Sequence, residues 1–127
     1  MLLNLTDLSA EPLQSQIIRQ IRAKILAGEL KAECDLPSIR RLAREQHISV
    51  ITVQRAYESL EREGLIHSRR GKGFFVSKLS DQQKKVLSME RLTENLRPAI
   101  RVARSEGLEK EEIYKIVESL IKENKLN

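Results

Sequence analysis

A chain of 127 residues has room for one domain, or for one small domain with an appendage. Hydrophobic residues make up 40% and charged residues 32%, while aromatics reach only 3% with no Trp, so Leu, Ile, Val and Ala must fill the core of a charge-rich globule, which favours helices. No apolar run approaches the ~20 residues of a helical membrane span, so none is expected, whereas a net charge of +5 leaves polyanion binding open.

Residues 1–10 read as extended or irregular, and Met1-Leu2-Leu3-Asn4 has neither the basic flank nor the long apolar run of a secretory signal. Pro12 stands where a first helical turn tolerates proline. Leu13, Ile17, Ile21 and Ile25 then recur every four residues, predicting an amphipathic helix over 11–27 that stops at Gly28. Residues 31–37 are a connector ending in Leu36-Pro37. Ser38 is a natural N-cap for a short helix with Ile39, Leu42 and Ala43 on its inner side. Gln46-His47-Ile48 reads as a tight turn. Ser49 caps a third helix, to about Glu63, whose inner face is Val53, Ala56, Tyr57 and Leu60; Gly64 ends it. Tyr57 is expected in the core with its hydroxyl reaching the surface.

The period then changes. Leu65–Ser68 and Phe74–Val76 are short β-prone runs around Arg69-Arg70-Gly71-Lys72-Gly73, which predicts a hairpin with a basic tip. Helix resumes near Asp81, with Met89, Leu92, Leu96, Ile100 and Ala103 forming an apolar stripe. Pro98 within it cannot donate to the Glu94 carbonyl, so a kink or break is expected there. Gly107 ends that segment, and Ile113, Ile116, Val117, Leu120 and Ile121 mark a final helix.

Charge is unevenly placed. Residues 38–78 carry nine basic and four acidic side chains, which amounts to the whole net excess of the chain. A localised positive surface is the footprint of a polyanion site, although an ordinary solvated face is the alternative. Cys34 is the only cysteine, so no internal disulfide can form. Flanked by Glu33 and Asp35 it lacks an activating positive field and is expected to be inert. His47 and His67 lack metal-ligand spacing to each other or to Cys34, so no metal and no cofactor is expected. A cytoplasmic location is the simplest expectation.

Helix, short helix, tight turn, helix and basic hairpin is the order of a winged helix-turn-helix. At about 100° per residue from Val53, the side chains of Ile51, Arg55, Glu58 and Arg62 point away from the core. Ser49, Val50, Thr52 and Gln54 lie at or near the leading turn, where base edges and phosphates are met and where free N–H groups favour an anion.

Leu36-Pro37-Ser38-Ile39-Arg40-Arg41-Leu42-Ala43, Ile48-Ser49, Thr52-Val53, Ala56-Tyr57, Leu60-Glu61, Glu63-Gly64-Leu65-Ile66 and Gly71-Lys72-Gly73-Phe74-Phe75-Val76 together resemble the N-terminal signature of GntR-family regulators. The short tail resembles the YtrA-like subfamily. The resemblance implies that Arg40 contacts DNA, that Ser49 contacts phosphate, that Thr52 and Gln54 follow on the recognition helix, and that Arg70, Gly71 and Lys72 form the wing tip. It also implies a repressor; the two-fold symmetry of a homodimer predicts an inverted-repeat operator. The chain departs from the family pattern at Val50, where many members have Arg. It departs again at Glu33, where the connector usually carries Gly; the second departure predicts a somewhat different loop on the same fold.

The expected architecture is mainly α with a small β-hairpin: a winged helix-turn-helix over 1–78 and a two-helix dimerisation tail over 79–127. The expected DNA-binding set is Ser38, Arg40, Arg41, Arg44, Ser49, Val50, Ile51, Thr52, Gln54, Arg55, Arg69, Arg70, Gly71 and Lys72. Gln54 suits an adenine edge, and Ile51 either meets a thymine methyl or is an ordinary exposed aliphatic. Arg69, Arg70 and Lys72 are read as wing contacts to phosphate or minor groove, against the alternative of a solubility device. The expected dimerisation set is Met89, Leu92, Leu96, Ile100, Ala103, Ile113, Ile116, Val117 and Leu120, because two amphipathic helices in a short tail cannot bury their faces on each other alone. The expected partners are a double-stranded DNA operator and a second copy of the chain, with no membrane. A small-molecule effector stays open. The rivals are a winged helix used for protein contacts, an RNA module (disfavoured by the few aromatics) and an enzyme, for which the sequence shows no nucleophile with an ordered base, no metal cluster and no phosphate-cradling loop.

Overall fold

The computed structural model describes residues 1–124, so the last three residues of the expected tail, 125–127, lie outside the described residues. The elements run α1 (Leu13–Leu26), α2 (Ile39–Gln46), α3 (Val50–Arg62), β1 (Ile66–Arg69), β2 (Gly73–Val76), α4 (Asp81–Ser105) and α5 (Lys110–Glu123). They fall into two compact units, Met1–Lys84 and a second that starts at Lys85.

The first unit is built around one small core. α1 contributes Ile17, Ile21 and Ile25, α2 contributes Leu42 and Ala43, and α3 contributes Val53, Ala56, Tyr57 and Leu60. Leu36, Leu65, Ile66 and Val76 close it from the connector and hairpin. Each fully buried aliphatic side chain stabilises the unit by roughly 1.5–3 kcal/mol of transfer free energy. The four-residue spacing on α1 is what turns its isoleucines onto one face. α1 also carries Gln16, whose buried amide is fully used: it accepts from Thr6 N–H at 3.0 Å and donates to the carbonyls of Thr6 and Glu11 at 2.9 and 2.8 Å. With the matching Gln20–Asn4 pair of bonds, it straps the irregular N-terminal segment onto α1 and seats Leu3 in the core.

Both predicted caps are in place. Ser38 Oγ accepts from Arg41 N–H at 3.1 Å, and Ser49 Oγ accepts from Thr52 N–H at 3.0 Å. Between them His47 adopts a left-handed backbone, φ 56, and with Ile48 N–H donating to Ala43 O it forms the turn of the helix-turn-helix. β1 and β2 pair antiparallel from Ile66↔Val76 to Arg69↔Gly73, and Gly71, at φ 74, supplies a left-handed step in the loop joining them. The connector adds a short third edge: Asp35 bridges Phe75, Leu36 N–H donates to Phe74 O and Glu33 N–H donates to Val76 O.

Two expectations need correction. The Tyr57 hydroxyl does not reach the surface. The residue is 0% exposed and its O–H donates to Pro37 O at 2.7 Å, which joins α3 to the residue just before the α2 cap. Of the kink or break expected at Pro98, the break is absent, since α4 continues through it as one helix of 25 residues. Proline removes a single donor, and the intact hydrogen bonds of the turns on either side hold the helix together. In the second unit no residue of α4 or α5 is buried. α5 is opened by Glu112, whose carboxylate accepts from Glu109 N–H at 2.9 Å.

Candidate nucleic-acid interface

The candidate site is assembled on α2, α3 and the hairpin, with α3 packing against both α2 and β1. Ser38, Arg40, Arg41 and Arg44 lie at the start and along the outer side of α2, all exposed. Ser49, Val50, Ile51, Gln54 and Arg55 are exposed at and after the leading turn of α3, and Thr52 is half-buried there. Arg69, Arg70, Gly71 and Lys72 are exposed at the end of β1 and in the loop. All fourteen therefore fall in the first unit, on its surface, and around one packed set of elements.

Their electrostatics differ. Among the described residues, Arg40, Arg44, Arg55, Arg70 and Lys72 have no carboxylate within ion-pairing distance, so their charge faces solvent. Arg41 pairs with Glu45 one turn along α2, Nε to Oε2 at 3.1 Å. Arg69 is engaged inside the molecule, ion-paired with Glu33 and lying 4.3 Å over the Phe75 ring. No sequence signal announced that pairing, because Glu33 lies 36 positions away and meets Arg69 only once the connector has joined the sheet.

The leading turn of α3 gathers polar groups. Ser49 Oγ lies 3.1 Å from Thr52 Oγ1 while also accepting from Thr52 N–H. Either hydroxyl can be the donor in that pair. The first N–H groups of the helix add to these groups, together with the positive end of its dipole. Val50 and Ile51 are 44% and 58% exposed at the same turn, so two apolar side chains face solvent there.

Residues 13–76 match the model of the gntR family of bacterial regulatory proteins. The chain belongs to that family. It is 33% identical over 112 residues to the HTH-type transcriptional repressor YtrA of Bacillus subtilis, covering 88% of this chain and 86% of that protein. A GntR family transcriptional regulator from Listeria monocytogenes superposes with a TM-score of 0.70 at 27% identity, covering 87% of this chain and 96% of that one. YtrA from Sulfolobus acidocaldarius, a GntR-family transcription factor, superposes with a TM-score of 0.55 at 30% identity, covering 97% and 99%. The architecture is thus a winged helix-turn-helix followed by two C-terminal helices, and the GntR family to which the chain belongs is one of DNA-binding transcription regulators rather than enzymes. α2 and α3 are its helix-turn-helix and the β1–β2 hairpin its wing. No helix among the described residues is long and apolar enough to cross a membrane.

Within this GntR-family chain the tail presents its apolar residues outward. Met89, Leu92, Ile100, Ile116 and Leu120 are exposed, and Leu96, Ala103, Ile113 and Val117 are half-buried. An open groove of about 400 Å³ runs along α4, lined by Val86, Met89, Glu90, Thr93, Glu94 and Arg97.

Proposed function

We propose that this chain is a homodimeric repressor that binds an inverted-repeat operator, each protomer laying α3 in a major groove and its wing on the flanking backbone. The observation that carries the reading is the set of cations without an ion-pair partner among the described residues, Arg40, Arg44, Arg55, Arg70 and Lys72, spread over the three elements that a winged helix presents to a duplex. Unpaired guanidinium and ammonium groups release phosphate counterions on binding, which makes affinity fall steeply with salt. Arg40 and Ser49 serve as backbone contacts and Gln54 as the base reader. Dimerisation follows from the outward apolar residues of α4 and α5, which a second copy covers. The YtrA of Bacillus subtilis is named a repressor, and similarity over most of both chains supports the same direction of control here.

Titration of the full chain against a pool of genomic duplex fragments, at graded salt, tests this. Saturable enrichment of an inverted repeat, weakening as salt rises, is the expected result. Duplex binding that is absent or insensitive to salt contradicts it.

A further inference from the structure

Glu33 sits at φ 68, in the left-handed region that side chains with a Cβ rarely adopt. The connector needs that step: Glu33 N–H donates to Val76 O at 2.8 Å and Val76 N–H donates to Cys34 O at 2.9 Å, which turns the chain onto the free edge of β2. Glycine meets the requirement without steric cost. A glutamate stands there instead, and its carboxylate does what glycine cannot. It pairs with the guanidinium of Arg69, the last residue of β1 before the wing loop, and it lies 3.9 Å from His67 Nε2. Arg69 in turn rests over Phe75, and the His67 ring stacks with Phe75 at 6.1 Å between centroids. Both partners of the ion pair are 45% exposed, so a ligand arriving at the wing can reach either of them.

We propose that Glu33 is an acidic restraint on the wing, holding Arg69 in an internal pair and thereby withholding one phosphate contact from DNA. Carboxylate and phosphate are alternative partners for the same guanidinium fork, so a phosphate that recruits Arg69 must displace Glu33. An ion pair this exposed is weak, so the exchange tunes affinity rather than gating it. Arg70 and Lys72, with no carboxylate beside them among the described residues, make the immediate contacts. The restraint rests on the DNA-binding reading above and adds to it a residue outside the helix-turn-helix that sets how tightly the wing grips.

The test is fluorescence-anisotropy titration of the full chain on a mixed-sequence duplex of about 30 base pairs across a salt series at one fixed pH. Glu33→Gln removes the charge and keeps the side chain's length; Glu33→Gly also suits the φ 68 backbone. Each is expected to tighten binding about two- to fivefold. Each should also steepen the log–log salt dependence by about 0.9, the increment for one further phosphate. In an Arg69→Ala background neither substitution should change affinity. Thermal melts of every variant show that it is folded. Unchanged or weaker binding by the Glu33 variants overturns the restraint, and so does equal tightening in the Arg69→Ala background, which assigns the effect to net charge. Failure of the wild-type chain to bind any duplex overturns the DNA-binding reading itself, a result distinct from wild-type binding that Glu33 does not modulate.

Discussion

Tyr57 shows how much of this surface depends on one buried polar group. Its phenol is sealed in the core and donates to Pro37 O, so it ties the recognition helix to the start of α2. Tyr57→Phe leaves that carbonyl without its partner and is expected to cost about 1–3 kcal/mol in a denaturant titration, with no loss of packed volume. Burial also raises the Tyr57 phenol above its ordinary pKa. The unfolded chain starts to lose this proton near pH 10, so the stability contributed by the neutral phenol is complete below that pH and declines above it. The phenylalanine variant should lack that part of the alkaline loss. At the proposed contacts, Arg40→Ala should weaken binding to all duplexes alike, whereas Gln54→Ala should relax preference at one base position by about 1–3 kcal/mol; a binding-site selection on each variant separates the two. The caps at Ser38 and Ser49 were legible because a cap is a local matter of three residues. The Tyr57–Pro37 bond spans 20 positions and the Arg69–Glu33 pair 36, so neither could be read before the fold had brought the partners together.

Among the elements, the helices of the first unit announced themselves through periodicity, and the hairpin through the change of period and the glycines at its turn. What pattern could not reveal was the connector's use as a third edge of the sheet, because those hydrogen bonds are made by backbone and not by side chains. α4 is the opposite lesson. Proline in a helical stripe implies a kink or a break, and the helix runs through Pro98 without a break. Pro98 is exposed, so its ring fills no core position that alanine would leave empty. Pro98→Ala should therefore restore a hydrogen bond to Glu94 O and stabilise the helix by up to about 3 kcal/mol. Far-UV circular dichroism during thermal unfolding measures it; a lower melting temperature would mean that the proline serves a packing role in the assembled protein.

For the whole molecule, the proposal divides the work between a small basic winged unit for recognition and a tail, with no buried residue among those described, for assembly. The family was legible from spaced motifs, while the oligomer was argued only from apolar stripes that a single chain leaves uncovered. Leu92→Glu with Ile116→Glu places charge on those stripes, and sedimentation velocity should then report a monomer with an intact winged unit. A dimer of undiminished stability would move the interface elsewhere. The central claim, two-fold reading of a duplex by paired recognition helices, is tested most directly by a hydroxyl-radical footprint of the chain on its selected operator. Two symmetric protected half-sites, centred about 10 base pairs or a multiple of that apart, are the predicted result. A single protected half-site, or no protection at salt concentrations where the wild-type chain is folded, would contradict it.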